Sequence, residues 1–293
     1  MAQSSLSYKF RTADILSKII VVNAAIFIVV TITSALMQWN PWKMVQWFIL
    51  PDSFMEFLFQ PWSIFTYSFI HTGFFHVLFN MLWLYFFGRH VLNLFSEKRF
   101  LTLYLLGALA GGIVYMVSYN LFPAFQNTIG TLQGASASIM AIMVFAAVYS
   151  PNTEVRIFTF RLKLWHIAAF FVILDLVRLP SMNNAGGLLA HLGGAAFGYI
   201  YARQLLKGKD IGVGFERLLD WFFDLFKSRK QKPFKKVHRN QTTQKKSGRS
   251  TTKEGKSTQQ QKIDAILDKI GKSGYESLTK AEKEFLFRAG KDN

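Results

Sequence analysis

Six long apolar runs dominate the first two thirds of the chain, at about residues 18–37, 74–95, 101–120, 132–150, 165–181 and 186–206. A helix needs about 20 apolar residues to cross the hydrocarbon core of a bilayer, and these runs approach or exceed that length. Packed as the core of a large soluble protein, they would need many amphipathic partners to cover them, and the chain has few. The pattern predicts an all-α fold: a polytopic membrane protein with a six-transmembrane-helix bundle over residues 1–206, followed by a small cytoplasmic helical tail.

The net charge of +17 first suggests a nucleic-acid binder, so its distribution matters. Residues 1–206 hold 12 Lys/Arg and 6 Asp/Glu, whereas residues 207–293 hold 22 and 11. Within the body, basic residues alternate from loop to loop. Lys9, Arg11 and Lys18 precede the first run, Arg89, Lys98 and Arg99 join the second to the third, and Arg156, Arg161 and Lys163 join the fourth to the fifth. The intervening connections hold only Lys43 and Arg178. Basic loops stay on the cytoplasmic side, so both termini are expected there, and the first run is read as an uncleaved anchor. The long outer connection, about residues 38–73, carries Trp39, Trp42, Trp47, Phe48, Phe54, Phe57, Phe59 and Trp62. Such residues favour the membrane interface.

Polar groups inside spans are costly and face a partner or a cavity. The second span opens with His71, His76 and Asn80, the fourth contains Gly134, Ser136 and Ser138, and the sixth contains His191, Gly194 and Gly198. All three spans run from outside to inside. At about 1.5 Å per residue, Ser136, His191 and His76 fall roughly 3–10 Å below the outer edge. Ala190, Gly194 and Gly198 form one ridge of small residues and Gly130, Gly134 and Ser138 another, which would let the two helices approach closely. Packing and ordinary interhelical polar contacts would account for any one of these residues alone. Their common depth favours a site.

Serine is a weak nucleophile until a base takes its proton, and histidine is suited to that task. His76 and Asn80 lie one turn apart and can donate to a developing oxyanion, as can the backbone N–H of the serine. No carboxylate stands out as a third member: Asp175 has Arg178 three residues on, which reads as an interfacial ion pair. Ser138 is rotated about 200° from Ser136 and belongs to helix packing. The absence of cysteine excludes disulfide scaffolds, a thiol nucleophile and thiolate metal sites. A zinc protease motif of the His-Glu-x-x-His type does not occur, and an intramembrane aspartyl protease would need a second membrane aspartate. No metal or cofactor is expected.

The runs Gln60-Pro-Trp62-Ser-Ile-Phe-Thr-Tyr-Ser-Phe-Ile-His71, His76-x-x-x-Asn80, Gly134-x-Ser136 and Ala190-His191-x-x-Gly194-x-x-x-Gly198 strongly resemble those of the rhomboid intramembrane serine proteases, in that family's order and over roughly residues 15–206. The resemblance implies Ser136 as nucleophile, His191 as base and His76 with Asn80 in the oxyanion hole. It also implies single-span membrane proteins as substrates, cut near the outer face, with His71 structural. Three positions depart from the family pattern. Ala137 replaces the usual Gly and would put a methyl beside the oxyanion hole; Met140 replaces the Tyr that stacks on the catalytic histidine; Ser63 replaces an Arg, leaving the anchoring of the outer loop open. The resemblance also implies a multi-pass protein of a bacterial inner membrane. The alternative is a catalytically silent relative that binds transmembrane segments for quality control, usually marked by loss of the serine or histidine, both present here.

In the tail, residues 207–226 read as an amphipathic or juxtamembrane helix, with Phe215, Leu218, Leu219, Phe222, Phe223 and Phe226 opposite Glu216, Asp220 and Asp224. Residues 227–262 form a basic linker of disordered composition, suited to anionic lipid more than to nucleic acid. Residues 263–293 read as a small helical hairpin, with a turn from Gly271 to Gly274 and a capping box from Thr279 to Glu282. Its core is small enough to call for a cytoplasmic partner of unknown identity.

Overall fold

The computed structural model describes residues 6–126, 128–157, 159–182, 184–226 and 258–289. The chain divides into two units, Met1–Arg229 and Lys230–Asn293. In the first unit, α1 (Leu6–Thr12) leads into α2 (Ile15–Met37), and α3 (Pro41–Val45), β1 (Leu50–Pro51), α4 (Phe54–Phe59) and α5 (Ser63–Thr66) fill the outer connection. The helices α6 (Phe74–Leu94) and α7 (Glu97–Leu121) follow, then β2 (Thr131–Leu132), α8 (Ser136–Tyr149), the strands β3 (Glu154–Ile157) and β4 (Phe160–Lys163), α9 (Leu164–Arg178), α10 (Ala185–Leu206) and α11 (Val213–Phe226).

The molecule is mostly helical and carries several helices apolar enough for a membrane. Among the described residues, Ile15–Met37, Glu97–Leu121 and Leu164–Ser181 are each long and apolar enough to cross one, and α6 joins the preceding Ser63–Phe69 segment through a 95° bend. The chain is not purely α, because β1 pairs antiparallel with β2 and β3 with β4. The fourth apolar run also differs from its expected 132–150 span. It begins as an extended segment and becomes helical only at Ser136. The 14 residues of α8 cover about 21 Å, short of the ~30 Å hydrocarbon core. The start of this helix is therefore set inside the fold.

The apolar core explains that placement. Every residue from Ala137 to Ala147 is buried. On one side α10 approaches so closely that a methyl at Gly194 or Gly198 would run into the carbonyls of Ala137 and Ala141. On the other, a Cβ at Gly107 or Gly111 of α7 would come within 2.6 Å of the Ala141 or Ala137 methyl. The small-residue ridge of α10 is thus met by Ala137 and Ala141, and the expected partner ridge of Gly130, Gly134 and Ser138 does not form. Gly130 and Gly134 precede the helix, and Ser138 turns toward α7, where its hydroxyl donates to the Tyr104 carbonyl at 2.7 Å. The methyl of Ala137, expected beside the oxyanion hole, packs against α7 instead.

The outer connection is pinned at several points. Trp62 Nε1 donates to the Trp47 carbonyl at 2.7 Å, Thr66 Oγ1 to the Phe48 carbonyl at 2.8 Å and Tyr67 OH to the Ala108 carbonyl on α7 at 2.7 Å. These bonds anchor the loop around the buried Ser63. Asp14 caps α2, accepting from Ser17 N at 2.8 Å, and pairs with Arg89 of α6 at the same distance.

Below the body, the acidic side of α11 meets the start of α7: Asp220 pairs with Lys98 at 2.7 Å, and Arg99 with Asp210 and Glu216. Its other side leaves Leu218, Trp221, Phe222 and Leu225 exposed. The basic linker expected over 227–262 lies outside the described residues as far as 257. In the second unit, α12 (Thr258–Ser273) starts earlier than residue 263 and runs through Gly271; the turn comes at Gly274, φ 79°, ahead of α13 (Lys280–Ala289). The Thr279 N–H donates to Glu282 at 2.7 Å and Lys269 Nζ reaches the same carboxylate at 2.9 Å, holding it down at about 2.

Candidate active site

Ser136 is the first residue of α8, and the backbone before it is shaped by Gly134 and His71. Gly134 has φ 107°, a region that side chains rarely adopt. A Cβ there would also come within 2.7 Å of the His76 ring. The Gly134 N–H donates to the Tyr67 carbonyl at 2.9 Å, and the Ala135 N–H donates to Nε2 of the buried His71 at 3.3 Å. His71 and His76 meet edge to face, 4.9 Å between ring centres. With the helix starting at Ser136, the N–H groups of Ser136 and Ala137 lack carbonyl partners inside the helix. They and the helix dipole favour negative charge at this point.

His191 projects from α10, on a helix whose distance from α8 is fixed by Gly194. Its Nδ1 lies 2.9 Å from Oδ2 of Asp175 on α9. Asp175 is 5% exposed, a carboxylate at a depth where it needs a partner. The ion pair expected between Asp175 and Arg178 is replaced by this bond. Arg178 was the nearer candidate along the chain, but α9 turns Asp175 inward, toward α10. A membrane aspartate 16 residues before the histidine was the available signal, and local spacing masked it.

A cavity of about 190 Å³ opens between α6, α8 and α9. Asn80, Ser136, Asp175, Arg178 and His191 supply its polar wall, while Phe79, Trp83, Met140 and Phe171 are among its apolar residues. The buried Asn80 donates one amide hydrogen to the His76 carbonyl at 2.7 Å, leaving the other for a ligand. The structure therefore brings Ser136, His191, Asn80 and Met140 to one cavity. His76 sits behind Gly134 and is not among the lining residues, and Gly194 and Gly198 set the helix spacing.

Residues 58–208, just over half of the chain, match the rhomboid domain. Residues 251–291 match a family of unknown function (DUF6576). The chain is 26% identical to RHOMBOID-like protein 12, mitochondrial, of Arabidopsis thaliana, over 67% of this chain and 60% of that one. It is 32% identical to Presenilin-associated rhomboid-like protein A, mitochondrial, of Danio rerio, over 46% and 35% of the two chains. With Rhomboid protein 1, mitochondrial, of Saccharomyces cerevisiae it shares 25% identity over 57% and 47%. The matched stretch spans between about a third and three fifths of these relatives.

Proposed function

The chain belongs to the rhomboid family, and from that premise we propose that it is an intramembrane serine endopeptidase, with α2 and α6 to α10 forming a six-span transmembrane bundle. In this reading Ser136 Oγ attacks the scissile carbonyl of a single-span membrane protein near the outer face, and His191 takes the hydroxyl proton. Asp175 accepts from Nδ1, which fixes the tautomer and leaves Nε2 as the base. Negative charge on the tetrahedral oxygen is met by the N–H groups of Ser136 and Ala137, with the Asn80 amide and His76 alongside. Collapse breaks the peptide C–N bond, His191 gives its proton to the leaving amine, and water then hydrolyses the Ser136 ester by the same route.

The observation that carries this reading is the shared cavity, whose wall holds both a serine at a helix N-terminus and a histidine bonded through Nδ1 to a buried carboxylate. The loop charges support an orientation with both termini cytoplasmic, and we assign the protein to a bacterial inner membrane. The exposed aromatic side of α11 suits the cytoplasmic leaflet, and the basic linker beyond it suits anionic lipid. A fluorophosphonate probe tests the chemistry. The native protein should be labelled, Ser136→Ala should lose the label and the cleavage of a single-span substrate, and Ser138→Ala should keep both. A folded protein that takes no label would instead be a silent binder of transmembrane segments.

A further inference from the structure

We infer that Arg178 selects substrates with an acidic side chain on the outward side of the cleavage point, an inference that rests on the proteolytic reading above. The helix α9 places Phe171, Leu174, Asp175 and Arg178, spaced 0, 3, 4 and 7, along the wall of the cavity that holds Ser136. In the orientation given by the loop charges, Arg178 lies about 4.5 Å further out than Asp175. Asp175 is engaged by His191, and among the described residues Arg178 pairs with no carboxylate.

Two further features separate Arg178 from an ordinary interfacial anchor. First, it is one of two basic residues in the outer connections, against the bias that orients the chain. Second, the lipid-facing side of α9 is formed by Ile173, Leu176 and Val177, all more than half exposed, whereas Arg178 shares the wall with His191. The cavity below it is mostly apolar. A cation at the rim of an apolar cleft attracts a carboxylate more strongly than one in open water, and a guanidinium grips a carboxylate with two parallel bonds. The site therefore fits a segment that places an apolar side chain in the cleft and an Asp or Glu toward its mouth.

The test uses the full chain in bilayers and quenched-fluorescent single-span peptides, with the cut mapped by mass spectrometry. Glu, Gln or Lys is placed in turn at each of the first few positions outward of it. For the native protein, kcat/KM for the Glu peptide should exceed that for the Lys peptide by about fivefold at one position, and Arg178→Glu should reverse the order. An unchanged ranking overturns the inference. So does an equal loss on all three peptides that follows the phospholipid headgroup, which would make Arg178 a lipid anchor. Binding of the same peptides to Ser136→Ala gives a readout independent of turnover. A charge ranking in binding without cleavage would sustain the role of Arg178 and remove the protease; cleavage without a ranking would do the reverse.

Discussion

Ser136, the proposed nucleophile, and Asp175, the proposed support for its base, stand on helices held in different ways. The Ser136 helix, α8, is buried from Ala137 to Ala147, wedged between the glycines of α7 and those of α10. By contrast α9 buries only Leu164, Ile167, Ala168 and Asp175. Three of those lie at its inner end, so in the outer half the one buried residue is the carboxylate. Trp83 of α6 also meets Phe171 there, with ring centres 5.1 Å apart. The serine is placed by backbone packing that cannot yield, while the outer half of α9 is held largely by a polar bond and a ring contact. A site built this way sets a tightly packed helix opposite a wall that few buried side chains hold.

The strongest way to break this contrast is to attack the packing of α8. Gly194→Leu drives a side chain into the Ala137 carbonyl, and a backbone carbonyl in a buried helix has nowhere to go. Overpacking of this kind costs roughly 1–3 kcal/mol or more, enough to remove a large share of a marginal stability. Thermal unfolding in detergent should shift down sharply, with activity lost in parallel. Substituting Leu176 on the exposed side of α9 by Ala should leave unfolding nearly unchanged. Equal effects at the two positions would mean that the helices are not packed so differently.

Next in size is Asp175→Asn. The amide keeps the volume and a hydrogen bond but no longer enforces the tautomer that leaves Nε2 unprotonated. A fall in kcat of about 100-fold or more is expected, with KM little changed and the unfolding transition retained. Asp175→Leu should show the same loss of kcat and, in addition, faster hydrogen exchange in the outer half of α9. A normal rate in both variants would reduce the Asp175 contact to a structural one.

The sequence made one of these two regions far more legible than the other. Ser136, His191, Asn80 and the spacing Ala190, Gly194, Gly198 were readable because each sits in a short pattern with a chemical reason. Three things were not. The start of α8 was hidden because Leu132, Ala135 and Ala137 extend the apolar run without marking where extended backbone ends; the positive φ of Gly134 marks it, and glycine is also common in ordinary packing. The Asp175 bond was hidden because Arg178 offers a nearer partner along the chain, and only the rotation of α9 decides between them. The β3–β4 hairpin lay in a connection read for its basic residues alone, although Val155 and Leu162 among charged neighbours already alternate as strands do.

The smallest effect is expected at Ala137, and it discriminates most finely. Its methyl points at Gly111 of α7, so Ala137→Gly should cost about 1 kcal/mol from helix propensity and lost contact while kcat stays unchanged. A methyl that crowded the oxyanion donors would give the opposite result, a faster enzyme with little change in stability. The companion change Gly111→Ala should destabilise more, since its Cβ would lie 2.6 Å from the Ala137 methyl and 2.8 Å from the Ala190 carbonyl. Combining the two relieves only the first of those clashes, because Ala137→Gly removes a methyl and leaves the carbonyl in place. The double variant should therefore recover part of the Gly111→Ala loss, a non-additivity measurable in a double-mutant cycle. Strict additivity would mean that the Ala137 methyl does not face α7, and the oxyanion hole would again be its neighbour.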